Sequence, residues 1–106
     1  MKILALEIEQ PGATVEDFNR LARSEAAKAW ELYQAGVIRE LNFRQDRSEA
    51  VLILECADHK EAEAALASLP FVEAGLIAFD IIPLGPYSGF ARLFGDDVGS
   101  RRDTDC

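Results

Sequence analysis

The stretch Ala50-Val51-Leu52-Ile53-Leu54-Glu55-Cys56 decides the fold. It is rich in branched aliphatic residues and reads as a β-strand. Side chains alternate between the faces of a strand, so Val51 and Ile53 lie on one side and Leu52 and Leu54 on the other. Both sides are apolar, which is expected only where both faces of the sheet are covered.

Working outward, residues 37–44 also favour a strand, and Asp46-Arg47-Ser48 turns the chain, so the two runs form a β-hairpin. Residues 2–9 alternate, with Leu4, Leu6 and Ile8 on one face and Glu7 and Glu9 on the other, before Pro11-Gly12 breaks the run. Thr14 stands three residues before Asp17 as a weak capping box, and Val15, Phe18, Leu21, Ala22, Ala29, Leu32 and Tyr33 recur at helical spacing up to Gly36. Downstream, Asp58 and Glu61 bracket a second helix start, and Ala62, Ala65, Leu66 and Leu69 follow until Pro70 ends the pattern. Residues 76–82 make a last strand, closed by Pro83, Gly85 and Pro86. Pro83 favours a sheet edge.

The order βαββαβ predicts an α+β, ferredoxin-like domain: one antiparallel sheet of four strands with both helices on one face. The other face is then bare, although Val51 to Leu54 ask for cover on both. A second copy of the chain, packed face to face, is the simplest cover. The domain with its aromatic arm (Tyr87, Phe90, Phe94) is expected over residues 1–94, the arm docking on its own domain or on a neighbour. Residues 95–106 read as a loose polar tail.

The chain has 106 residues, enough for one domain, and its net charge of −8 disfavours nucleic acid and anionic membranes as partners. Arg101-Arg102 is the one dense basic pair, and neighbouring aspartates cancel it. No apolar run reaches bilayer length, and Glu7 interrupts the N-terminus too early for a signal peptide, so the expected location is cytoplasmic. Cys56 and Cys106 lack the spacing of a disulfide framework or zinc site and read as free thiols.

Glu25 is the most informative residue. At about 100° per residue it falls inside the apolar stripe of the first helix, flanked by Leu21, Ala22, Ala29 and Leu32. A carboxylate there must be paired, sit in a wet cavity, or hold a proton that chemistry can use. The small residues Ala22, Ala26 and Ala29 leave room for a pocket between helix and sheet. The structural alternative is an ion pair with Arg39, which by alternation shares a face with Val37 and Leu41, or a helix rotated enough to bring Glu25 to the rim. Arg39 could equally fork onto a substrate carboxylate, with Arg44 as a competitor on the opposite face. Glu7, Glu55 and Asp80 could each lie at a cavity or face water at a strand end, with water the favoured reading; His59 is assigned to solvent, and Trp30 and Tyr33 to packing or an interface. Metal-ligand spacing, a glycine-rich phosphate loop and a nucleophile elbow are all missing from the sequence.

The motifs Leu21-Ala22-Arg23-Ser24-Glu25, Gln34-Ala35-Gly36, Arg39-Glu40-Leu41 and Ala67-Ser68-Leu69-Pro70-Phe71 together resemble the muconolactone delta-isomerase family over about residues 2–86. The resemblance implies a dimeric α+β barrel, often built into larger rings, that shifts a proton within an unsaturated lactone without a cofactor. It implies Glu25 as the acid–base group and Arg39 as the carboxylate anchor. Glu40 and Asn42 depart from the histidine-containing second strand of such isomerases, and the arm after Pro86 differs as well. The expected function is a cofactor-free isomerase of a small unsaturated lactone or acid, working as a homodimer or higher homo-oligomer. The alternatives are a cofactor-independent monooxygenase or cyclase on the same barrel, and a non-catalytic binding or assembly module with Glu25 and Arg39 closed into a dry ion pair.

Overall fold

A computed structural model describes residues 1–95. Its strands are β1 (Lys2–Glu9), β2 (Ile38–Phe43), β3 (Ala50–Glu55) and β4 (Ile77–Pro83). The helices are α1 (Val15–Gln34), α2 (His59–Ala67) and the one-turn α3 (Pro70–Glu73), with a 3₁₀ helix (Gly89–Leu93) after the last strand. The sheet runs β2-β3-β1-β4, and each pairing is antiparallel. This is the α+β, ferredoxin-like arrangement that the element order predicts. β4 is an edge strand, and Pro83 is its last residue, where a missing N–H costs the ladder least.

Local chemistry sets the ends of the helices. The Thr14 hydroxyl accepts the Asp17 N–H at 3.1 Å and starts α1. At the other end Gly36, with φ +81°, takes the left-handed turn that side chains resist. Its N–H reaches the Tyr33 carbonyl at 3.1 Å, and the Val37 N–H reaches Leu32 at 3.0 Å, the paired bonds of a Schellman stop. The chain is thereby turned straight into β2. Asp58 caps α2 through the Glu61 N–H at 2.8 Å. Pro70 does more than end the second helical pattern. α2 has already stopped at Ala67, and Pro70 opens α3 at its first position, where its lack of an N–H costs nothing.

The core lies on one face of the sheet. Ile3 and Ala5 of β1, Ile38 of β2, and Leu52 and Leu54 of β3 pack against Ala62 and Leu66 of α2 and against Leu69. Cys56 joins them as a buried free thiol, as expected. The opposite parity carries Leu4 and Leu6 of β1, Val51 and Ile53 of β3, and Ile82 of β4, all only partly buried. Ile53 stands at its centre, opposite Leu4 on one side and Glu40 on the other. The helices cover the Ile3–Leu54 face, so this second apolar face stays open.

The arm does not dock on its own domain. Tyr87 and Phe90 touch edge-on at 5.0 Å, but both are exposed, and Phe94 is 84% exposed. The expected polar tail and Cys106 lie outside the described residues, apart from Gly95. Among the described residues no helix is long and apolar enough to cross a membrane.

Candidate functional site

α1 spans the sheet with alanines facing it. The space they leave is an open cavity of about 570 Å³, lined from α1 by Ala22, Glu25, Ala26, Ala29, Trp30 and Tyr33. The sheet contributes Glu7, Ile38, Leu41, Phe43, Ala50, Leu52, Ile77 and Phe79, and the turn into α3 contributes Leu69 and Phe71. Its volume suits a small ring molecule. Among the described residues, the only polar side-chain groups in the wall are two carboxylates, the Tyr33 phenol and the Trp30 indole. Trp30 and Tyr33 are exposed, with their rings stacked at 5.7 Å and 27°.

Glu25 is half-buried in this wall. Its Oε1 accepts the Phe71 N–H at 2.8 Å, one of the donors that the first turn of α3 cannot satisfy within itself. Phe71 is held in turn by an edge-to-face contact with Phe18 at 5.0 Å. α1 and the Pro70 turn therefore fix the carboxylate from two sides. Burial raises its pKa above the ordinary carboxylate value, the Phe71 N–H opposes that rise, and the nearby charge of Glu7 adds to it.

Glu7 is the second acid of the cavity. It follows Ile3 and Ala5 on the inner face of β1. The β1–β3 ladder ends at the Leu6–Val51 pair, and Glu7 Oε1 then accepts the Ala50 N–H at 2.9 Å. Burial raises this carboxyl too; the Ala50 N–H counteracts it, and Glu49 and Glu9 push it further up. The expectation that Glu7 faces water at a strand end is therefore corrected. Its alternation with Ile3 and Ala5 was the available signal, masked because Leu4, Leu6 and Ile8 look more like a core face.

Arg39 is not brought to the cavity. A register shift between Ile38 and Glu40 makes Arg39 the extra residue of a bulge, so the alternation that aligned it with Leu41 fails. Ile38 and Leu41 line the cavity, whereas Arg39 is exposed and its Nε donates to the Gly36 carbonyl at 2.7 Å. The closed Glu25–Arg39 pair is not formed. Arg44 is engaged by Asp46, its Nε donating at 2.8 Å. His59 is exposed, 3.7 Å from Glu63, while Glu55 and Asp80 are exposed outside the cavity.

The model of the muconolactone delta-isomerase family matches residues 4–89, which takes in β1 from Leu4 onward, the other three strands, the three α-helices and both cavity carboxylates. The chain belongs to the muconolactone delta-isomerase family. Among solved structures, it is similar to 5-chloro-2-hydroxyhydroquinone dehydrochlorinase from Burkholderia phenoliruptrix in complex with 2,5-dihydroxybenzoquinone. The TM-score is 0.67 at 18% identity, over 84% of this chain and 98% of that one. At that identity the likeness concerns the fold. No curated protein sequence matches. The sequence resemblance to the delta-isomerase family is thus confirmed. Within that family this chain combines a glutamate on α1 with a second one on β1 and leaves its arginine outside.

Proposed function

We propose that the protein is a cofactor-free isomerase that moves a proton within a small unsaturated lactone or a related ring. The observation that carries this is Glu25, a half-buried carboxylate tied to one backbone amide in the wall of an apolar cavity. Such a group is basic enough to take a proton from a carbon next to a carbonyl and acidic enough to return it elsewhere. Family membership and the named activity of the family support the same chemistry. Arg39, the carboxylate anchor implied by the resemblance, lies outside the cavity of its own chain, and the proposed reaction does not use it.

The active form is proposed to be a homodimer or a larger homo-oligomer. A second copy would cover Leu4, Leu6, Val51, Ile53 and Ile82 and complete a dimeric α+β barrel, with the exposed arm lying on a neighbour. The test of the chemistry is solvent-deuterium incorporation and double-bond migration in a panel of unsaturated five-membered lactones. Wild-type protein should catalyse both, and Glu25→Gln, which keeps an acceptor for the Phe71 N–H, should lose about 10²-fold or more in rate while remaining folded. A Glu25→Gln variant as active as wild type would refute the assignment.

A further inference from the structure

A charge count of the cavity wall narrows the ligand. Among the described residues its ionisable side chains are Glu7, Glu25 and Tyr33, with no lysine, arginine or histidine in the lining. β2, β4 and the Pro70 turn present only apolar side chains to it. A ligand carboxylate would enter an apolar space already holding two acids, with no cation in the wall to receive it. Each glutamate uses Oε1 on a backbone amide, Phe71 for Glu25 and Ala50 for Glu7. Neither Oε2 has a hydrogen-bond partner among the described residues, so one oxygen of each acid is available to a ligand.

Two carboxylates in one low-dielectric space resist being ionised together. Glu7 has Glu49 and Glu9 close by, whereas Glu25 feels only Glu7. Arg47 offsets Glu49 in part, through a contact of 3.0 Å. The charge of Glu7 raises Glu25, and Glu7 is raised by acids of its own, so the pair keeps one proton more readily than a lone carboxylate would.

Building on the isomerase reading, we propose that the cavity takes an uncharged oxygenated ring, a lactone or enone without a carboxylate, and that Glu7 and Glu25 act on it as a pair sharing one proton, which sits on Glu7 when Glu25 serves as the base. The Glu25 carboxylate removes a proton from the ring carbon that is acidified through the conjugated carbonyl. The C–H electron pair enters the π system as a dienolate. The Glu7 O–H donates a hydrogen bond to the oxygen that gains charge and keeps its own proton. Glu25 then returns the proton to the carbon at the other end of the dienolate. The double bond has moved, both acids are back in their starting states, and no oxidant or co-reactant is consumed.

β-Angelica lactone and muconolactone share an α,β-unsaturated five-membered lactone ring, and only muconolactone carries a carboxylate. Binding of each to the assembled wild-type protein at neutral pH should favour the uncharged lactone by about ten-fold or more. Glu7→Gln, which retains an acceptor for the Ala50 N–H, should narrow that preference. In a ¹³C titration of the glutamate carboxyls it should also lower the midpoint of Glu25. Equal or tighter binding of muconolactone by wild type, failure of both lactones to bind at millimolar concentration, or an unmoved Glu25 midpoint in Glu7→Gln would overturn the proposal. These readouts need no turnover. A failure of Glu25→Gln to lose activity therefore counts against the isomerase reading, and a failure here counts against the acid pair and ligand class.

Discussion

Ile53→Lys separates the stability of one chain from the cover of its open sheet face. Ile53 is only partly buried at the centre of that face, between Leu4 and Glu40. In a single chain the lysine stem can replace much of the lost contact while its ammonium reaches water or Glu40, so folding should change by under about 1 kcal/mol. In an assembly the cost is larger. Full burial of an isoleucine is worth about 1.5–3 kcal/mol; since Ile53 has already realised part of this, cover by a second copy adds about 1 kcal/mol per protomer. Two protomers lose about 2 kcal/mol, and bringing two ammonium groups into one apolar interface adds about 2 kcal/mol more. A total near 4 kcal/mol weakens association about 10³-fold. Sedimentation equilibrium over a micromolar concentration series reads this directly, with a denaturant melt of the dissociated chain as the control. Wild type should be at least dimeric and Ile53→Lys largely monomeric yet folded. A variant that assembles like wild type, or a wild type that stays monomeric, would refute the argument from the open face.

Other parts of the structure give shorter tests. For Glu25 and Glu7 the folded-state pKa lies above the unfolded one, so the stability linked to them is fully present below the unfolded carboxylate value and is lost as pH rises through the folded value. Glu25→Gln should therefore be more stable than wild type near neutrality and lose that advantage towards pH 4, as followed by urea melts at several pH values. Leu54 is fully buried, and its register partners Ile3 and Ile38 are buried with it. Leu54→Ala should cost about 3 kcal/mol in the same melts, and a loss under about 1 kcal/mol would place the core elsewhere. Replacing both Phe90 and Phe94 by serine should leave the melt of the dissociated chain unchanged, because both rings are exposed. The same change should weaken assembly if the arm lies on a neighbour, and light scattering at matched concentrations decides it.

Much of the fold was legible because it rests on short-range signals. Thr14 and Asp58 mark helix starts through side chains that reach their own backbone, Gly36 marks a stop that needs positive φ, and Pro83 marks an edge. Glu25 was legible for a similar reason, since one helix's periodicity suffices to place a carboxylate in its apolar stripe. The family followed from motifs spread along the same elements.

Three features were decided only by tertiary structure. A strand whose two faces are both apolar does not say which face receives the helices, and that choice turned Glu7 from a surface acid into the second acid of the cavity. The bulge after Ile38 shifts the two-residue period by one, and that single step took Arg39 out of the site that alternation gave it. The pairing of Glu25 with the Phe71 amide joins residues 46 apart, through the packing of α1 against the Pro70 turn. The sequence by itself therefore determined the element order, the family and the helix carboxylate, each written in local spacing. Which acids share the cavity, and which cation stays out of it, depended on sheet register and layer packing, which local spacing does not encode.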